Sequence, residues 1–310
     1  MRRFRFGVQL SAATDLRTWR DTVARIADLG YSTVVVPDHL GRQWAPMVAL
    51  AAALDAAPGL TLGTLVINTV QRNPVVLAKE AATLDLLSAG RFELGLGAGW
   101  LGSDAVRSGV AMAPAGERVE RLTEWVDILE LFWSKEIFSY HGRYYDLTDV
   151  VAMPRPARER PKLLIGGGSR RVLSLAGRRA DVAALDVALP AGRFTSSSYV
   201  DAADAALFRQ RAGWVAAAAG TRDADVERQL LVLDGLVAIG RDESAAARVA
   251  DRWGIGVDRL RHLTTAMVGS VADVSDRLRE RRECMGISYY VVQAGAFGAV
   301  APVVDRLAGT

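Results

Sequence analysis

Along this 310-residue chain, short apolar runs alternate with longer stretches in which apolar residues recur at helical spacing. Residues Arg5 to Leu10 read as strand one, and Leu16, Trp19, Val23, Ile26 and Ala27 then follow a helical period up to the stop signal at Gly30. Thr33 to Val36 is strand two, and a helix over Pro46 to Ala57 leads through Pro58-Gly59 into strand three, Thr61 to Asn68. Asn73-Pro74 then supplies a cap and a first-turn proline ahead of Val76, Leu77, Ala81, Leu84 and Leu87, and Gly90 separates that helix from strand four, Phe92 to Leu96. Four strand-helix units thus follow one another at a period of about thirty residues, the size of one strand with its crossover helix, which implies parallel pairing.

A long helix carrying Leu122, Trp125, Val126, Leu129, Phe132 and Trp133 on one face comes next, and the regular period then breaks. Residues 134–161 hold FSYHGRYYDL followed by Pro154, Pro156 and Pro161, a composition that suggests a hairpin-like insertion. Alternation resumes with strand five (Lys162 to Ile165), a helix over Arg170 to Arg179 and strand six (Val182 to Leu185). A loop insertion near 190–201, a helix from Ala202 to Ala219 and strand seven near Leu230 to Val237 follow. A third insertion, 240–268, contains helical spacing over Glu243 to Arg261, after which come a helix over Val271 to Met285 and strand eight, Ser288 to Val292. Eight strands alternating with helices predict an α/β fold of the TIM (β/α)8 barrel type, a single domain over residues 1–310. A doubly wound parallel sheet is the structural alternative.

Composition narrows the functional classes. Half of the chain is hydrophobic, enough for a large core, and the net charge is only +3 despite a pI of 9.2. The densest charge run, Arg277 to Glu283, mixes both signs at helical spacing and reads as a solvated helix face, so no nucleic-acid groove is expected. The single cysteine, Cys284, excludes an intrachain disulfide and a multi-cysteine zinc site and reads as a buried thiol in a reducing cytosol. The basic residues at the amino terminus precede no apolar run of signal-peptide length, and the most apolar long window, Met47 to Ile67, is broken by Asp55 and Pro58-Gly59. A cytoplasmic enzyme without membrane or nucleic-acid partners is the expectation.

Candidate chemistry gathers at strand ends. Val34-Val35-Val36-Pro37-Asp38-His39 is an apolar strand that stops at a proline and delivers a carboxylate and one of only three histidines at its carboxyl end. An imidazole can exchange protons near physiological pH, although Asp38 can equally cap the turn and His39 can be structural. Leu163-Leu164-Ile165-Gly166-Gly167-Gly168-Ser169-Arg170 is a buried strand opening through three glycines into a helix, an arrangement whose backbone N–H groups can hold a phosphate. The alternative is a plain turn with a helix cap; no Walker lysine is present. Gly97-Ala98-Gly99-Trp100-Leu101-Gly102 matches G-x-G-x-x-G but follows strand four, so its small residues are read as a flat gap for a planar ring instead of a dinucleotide turn. There is no G-x-S-x-G elbow, no H-E-x-x-H helix and no carboxylate cluster at metal-ligand spacing, so no metal is expected. Trp44, Trp100, Tyr140, Tyr144 and Tyr145 fall in predicted loops and are candidates for an apolar pocket, with ordinary packing as the alternative.

Taken together, VVVPDHL, TLGTLVINTVQRNPVVLAKEAATLDLLSAGRFELGLGAGW and LLIGGGSRRVLSLAGRRADVAAL resemble the luciferase-like flavin and deazaflavin oxidoreductases, with the greatest similarity to the branch dependent on coenzyme F420. The resemblance covers nearly the whole chain. It implies a TIM barrel with a deazaflavin at the carboxyl ends of the strands, a bulge in strand three with a non-prolyl cis bond at Leu65-Val66 supporting one ring face, and Asn68 near the ring edge. It also implies that Gly97, Ala98 and Gly99 flank the ring and that Gly166, Gly167, Gly168, Ser169 and Arg170 hold the cofactor phosphate.

By the same resemblance Asp38 and His39 form the pair at the reactive side, with His39 as catalytic residue and Trp44 and Trp100 in the substrate pocket. Sugar-phosphate dehydrogenases of the family carry an acid where Trp100 stands, so the resemblance implies a larger, apolar small molecule as substrate. Three readings stay open: an F420-dependent hydride-transfer enzyme, an FMN-dependent monooxygenase of the same fold, and a non-catalytic flavin- or deazaflavin-binding protein. Homodimers through the faces near strands two to four occur in the family.

Overall fold

A computed structural model describes residues 1–189, 194–240 and 242–310. Eight parallel strand positions close into a barrel: β1 (Arg5–Gln9), β2 (Thr33–Val36), β3 (Thr61–Thr64, resuming at Ile67–Asn68), β4 (Phe92–Gly97), β5 (Lys162–Gly167), β6 (Val182–Leu185), β7 (Glu227–Val232) and β8 (Ile287–Gln293). The hydrogen-bonded order β3-β2-β1-β8-β7-β6-β5-β4 is closed by pairing of Leu62 with Phe92 and Gly63 with Glu93. The expected (β/α)8 barrel is therefore the fold, and the doubly wound sheet is ruled out.

Strand alternation sorts the barrel wall. On β1 Phe6 and Val8 join the large core beneath the helices, which leaves Arg5, Gly7 and Gln9 on the inner face. On β4 Phe92, Leu94 and Leu96 face out and Glu93, Gly95 and Gly97 face in. Val35, Leu65, Leu164, Val182, Ala184, Tyr289 and Val291 form a separate small cluster inside the barrel.

The inner face is charged at its amino-terminal end. Arg5 donates to Glu93 at 2.9 Å and to Glu227 at 2.7 Å, while its guanidinium carbon lies 3.6 Å from the centre of the Tyr289 ring. Burial alone would lower the Arg5 pKa, but Glu93, the Tyr289 hydroxyl and Glu227 outweigh it and raise it.

Several boundaries differ from those expected, each for a local reason. Residues 137–141 and 146–151 form the antiparallel hairpin expected in the 134–161 insertion. Strand seven begins at Glu227, three residues ahead of Leu230, because the charged Glu227 reaches inward to Arg5. Val237–Ile239 belongs to a separate two-stranded parallel ladder with Met267–Gly269. The expected helix Glu243 to Arg261 is two, Glu243–Trp253 and Val257–His262, divided where Gly254 turns left-handed at φ 66°. The helix after strand two ends at Ala51, and the helix expected from Ala202 is Ser196–Ala202 followed by Ala205–Ala219, with Asp204 capping the second. Of the expected loop insertion at 190–201, residues 190–193 lie outside the described residues.

Two surface expectations are corrected on the helix Val271–Met285. Cys284 is exposed, on the face turned away from the buried Leu278, Arg281 and Met285. Arg281, within the run expected to be solvated, is only 6% exposed and donates to the carbonyls of Leu263 and Ala266, satisfying a loop that the core helix covers. Among the described residues no helix is long and apolar enough to cross a membrane.

Candidate active site

One cavity of about 1140 Å³ opens at the carboxyl ends of the strands, where barrel enzymes keep their chemistry. Its near wall is the bulge between the halves of β3, where the Leu65–Val66 bond is cis as the resemblance implied, and Gln9 Nε2 donates to the Leu65 carbonyl at 3.0 Å. Across from Val66 stands Gly97. A Cβ at Gly97 would lie 2.6 Å from Val66 Cγ2, and one at Gly99 would lie 2.6 Å from Asn68 Oδ1, with the Gly99 backbone at φ 73°. Only glycine lets Val66 and Asn68 come this close to the β4 backbone.

The glycine run at the end of β5 forms the next part of the wall. Gly166, Gly167, Gly168 and Ser169 line the cavity, and Ser169 caps the helix Arg170–Arg179 by accepting from Val172 N at 3.4 Å. At Gly168 a Cβ would meet Ala188 N at 2.5 Å and Val187 C at 2.6 Å, so the loop after β6 closes directly over this glycine. Arg118 enters from the helix Ala115–Ser134 and donates to the Gly99 carbonyl. Burial holds its guanidinium pKa below the ordinary value, and its Nε has no partner. A donor of this kind on a cavity that Gly166, Gly167, Gly168 and Ser169 also line fits an anionic group.

Asp38 and His39 do not form the couple that their adjacency suggested. Asp38 is held by Arg72 through two hydrogen bonds of 2.8 Å and accepts from Asn68 N at 3.1 Å, which anchors the β3 bulge. His39 instead reaches Asp104, in the short helix Gly102–Ser108, with Nδ1 2.6 Å from Oδ2. Asp104 is fully buried and its Oδ1 accepts from Leu40 N at 3.3 Å. The Trp100 ring stands edge-on to the imidazole, with centroids 6.0 Å apart.

Of the residues expected in the site, Asp38, His39, Leu65, Val66, Asn68, Gly97, Ala98, Gly99, Gly166, Gly167, Gly168, Ser169 and Trp100 line the cavity. Two corrections are needed. Trp44 packs against Trp19 at 5.1 Å, its backbone N–H donates to the Ser11 carbonyl, and it lies outside the lining. Arg170 is the exposed first residue of its helix and is not among the lining residues. The tyrosines of the hairpin are also elsewhere: Tyr144 donates to Glu120 and Tyr145 accepts from Trp125, both on the flanking helix.

Residues not anticipated complete the lining. Gln9 and Gln293 end the inward rows of β1 and β8, and Gln229 stands mid-row on β7 ahead of Leu231, its Nε2 buried without a partner. Asp186 follows Ala184 on the inward row of β6 and is accessible from the cavity, where desolvation by the surrounding protein pushes its carboxyl pKa up, against the Val187 N–H it accepts and the charge of Arg211. Phe194, Tyr199 and Trp253 form an aromatic cluster over β6 and β7, with Tyr199 5.4 Å from each of the other two. Gln9 and Gln293 carried a signal, since a polar residue at the carboxyl end of an apolar strand is the same pattern that marked Asp38. Asp104 carried none, standing 65 positions from His39.

With this geometry established, comparison with known proteins places the chain. The model of the luciferase-like monooxygenase family matches residues 1–286, and the chain belongs to that family of oxidoreductases. An F420-dependent glucose-6-phosphate dehydrogenase of Intrasporangium calvum is 35% identical over 177 residues, covering 52% of this chain and 51% of that protein. An FMNH2-dependent dimethylsulfone monooxygenase of Pseudomonas putida is 31% identical over 110 residues, covering 35% of this chain and 30% of that protein. The F420-dependent tetrahydromethanopterin reductase from Methanopyrus kandleri superposes with a TM-score of 0.78 at 15% identity, covering 99% of both chains, a likeness of fold. The chain thus spans about half the length or less of the curated relatives it matches.

Proposed function

We propose that this protein is an F420-dependent oxidoreductase that transfers a hydride between the deazaflavin and a fairly apolar small molecule. The observation that carries this reading is the cavity of about 1140 Å³ at the carboxyl ends of the strands, walled by the cis bulge of β3 and by the glycines of β4 and β5, with a single imidazole, His39, on the lining. In this reading Leu65, Val66, Gly97, Ala98 and Gly99 would flank the ring. Gly166, Gly167, Gly168 and Ser169, with Arg118, would hold the phosphate. The similarity to F420-dependent relatives favours the deazaflavin.

When bound, a reduced deazaflavin supplies a hydride to one end of an activated C=C, C=O or C=N bond. The other end of that bond needs a proton, and His39 is the group on the lining suited to deliver it; in the opposite direction the same nitrogen receives it. Gln9, through Leu65, and Arg72, through Asp38, fix the wall on which the ring would rest. The aromatic cluster of Phe194, Tyr199 and Trp253 supplies apolar surface on the far side of the cavity.

Fluorescence titration with F420 and with FMN tests this reading. Tight binding of F420 and anaerobic oxidation of its reduced form by cyclohexenone are the expected results. Substrate-dependent oxygen uptake with reduced FMN would instead establish the monooxygenase reading, which the dimethylsulfone monooxygenase relative supports. Gly168→Ala is expected to weaken F420 binding by at least about 10-fold, ~1.4 kcal/mol, because the added methyl displaces the loop backbone at Val187 and Ala188. An unchanged affinity would remove Gly168 from the phosphate site.

A further inference from the structure

We infer that Asp104 is the positioning residue of the reaction: its buried carboxylate keeps a proton on Nδ1 of His39, so that proton exchange with the substrate occurs only at Nε2. This rests on the proposed hydride-transfer function for its catalytic meaning, but its structural content stands without any cofactor.

The argument is one of donors and acceptors. An ionised carboxylate offers only acceptors, and Asp104 spends one oxygen on the N–H of Leu40 and the other on His39 Nδ1. The hydrogen in the 2.6 Å contact therefore belongs to Nδ1. An imidazole protonated on Nδ1 exposes a bare Nε2 as a base, and one carrying both protons exposes an acidic Nε2–H. In either state Asp104 keeps the same bond, and it stabilises the cation when His39 is charged.

The groups facing this pair fit the assignment. Arg107 approaches Asp104 at 3.6 Å on the solvent side, while Asp38 is already engaged by Arg72 and cannot compete for the ring. Trp100 closes the edge of the imidazole, and Gln43 accepts the His39 backbone N–H at 3.2 Å. The ring is thereby fixed at its nitrogen, its edge and its backbone.

The chain also contains its own comparison. His141 Nδ1 lies 2.5 Å from Asp146, yet that pair is 70% and 81% exposed on the hairpin, where water competes for both partners. His262 Nδ1 lies 2.6 Å from the Asp258 carbonyl on an exposed helix. With three histidines, the ring nitrogens can be assigned one by one.

Nitrogen-15 NMR of the ligand-free protein is the first test. The expected result is a slowly exchanging proton on Nδ1 of His39, absent in Asp104→Asn, whose amide can donate to Nδ1 and shift the proton to Nε2. His141 and His262 should be unchanged in that variant, and Asp146→Asn should alter only His141. The second test is oxidation of reduced F420 by cyclohexenone. Asp104→Asn should lower kcat by about 10²- to 10⁴-fold with KM and F420 affinity within about threefold, and Asp104→Glu should restore part of the loss.

A bare Nδ1 on His39 in the wild type overturns the proposal, as does an Asp104→Asn enzyme with kcat within about threefold of wild type. If F420 does not bind at all, the functional reading fails, while the NMR result still decides the Asp104–His39 bond. Should Asp104→Asn not fold, the wild-type spectrum and Asp104→Glu carry the test.

Discussion

Replacing His39 by alanine is expected to reduce cyclohexenone-dependent oxidation of reduced F420 by about 10²- to 10⁴-fold, the usual contribution of a positioned general acid or base. Affinity for the deazaflavin should stay within a few fold, because the proposed ring support is on β3 and β4 and the proposed phosphate site is on β5. The alanine variant has a second consequence. It leaves the carboxylate of Asp104, which is fully buried, with only the Leu40 N–H and the more distant Arg107, so the fold should lose about 1–3 kcal/mol.

His39→Asn separates the two effects. Its side-chain amide can still donate toward Asp104, so stability should recover while turnover stays low. Steady-state kinetics and urea unfolding of the two variants give both numbers. Full turnover in His39→Ala with intact cofactor binding would remove His39 from the chemistry and leave only a structural role.

The largest effect on stability is expected at the opposite end of the barrel. Arg5→Met should cost about 3–5 kcal/mol, measured by urea unfolding, because it leaves Glu93, 1% exposed, as an uncompensated buried charge. The second partner, Glu227, is 9% exposed at its side chain and loses the same cation. Adding Glu93→Gln to Arg5→Met should return a large part of the loss, since the charge and not the packing is the main cost. A single-variant cost below about 1 kcal/mol would show that solvent reaches these carboxylates. Chemistry should be spared in a properly folded Arg5→Met enzyme, because the charged floor and the open mouth are separated by the apolar cluster of Val35, Leu164, Val182 and Val291.

The barrel was legible because its outer face follows rules local to each element: apolar runs, caps such as Asn73-Pro74, and stops such as Gly30 and Gly90. The glycine-lined wall of the cavity was legible for a related reason, since glycines and small residues clustered at a strand end give up side-chain packing and so mark a place where something else can approach the backbone. The partner of His39 was not. Asp38 is its neighbour in the chain, but a proline-led turn points the two side chains apart, one to Arg72 and the other to Asp104.

Long-range pairing of this kind depends on how the loop after β4 folds back, and Gly102–Ser108 carries too few apolar residues to announce a helix. Trp44 misled for the converse reason. An aromatic residue in a loop beyond a strand end suits a pocket, but Trp19 offered it an apolar surface on the helix side. The start of strand seven was hidden by charge, because Glu227 and Arg228 look like loop residues until Arg5 is seen facing Glu227 across the barrel.

The inward row of β4, Glu93, Gly95 and Gly97, has a consequence for how this scaffold can diverge. A methyl group at Gly95 would fall 2.0 Å from the Thr64 carbonyl, and one at Gly97 would meet Val66 at 2.6 Å, so neither position can accept a larger residue without moving its neighbour. Descendants of this chain are therefore barred from reshaping that wall one substitution at a time. New specificities must arise on the opposite side, around Phe194, Tyr199 and Trp253, where side chains on helices and loops can be exchanged while the glycine wall stays as it is.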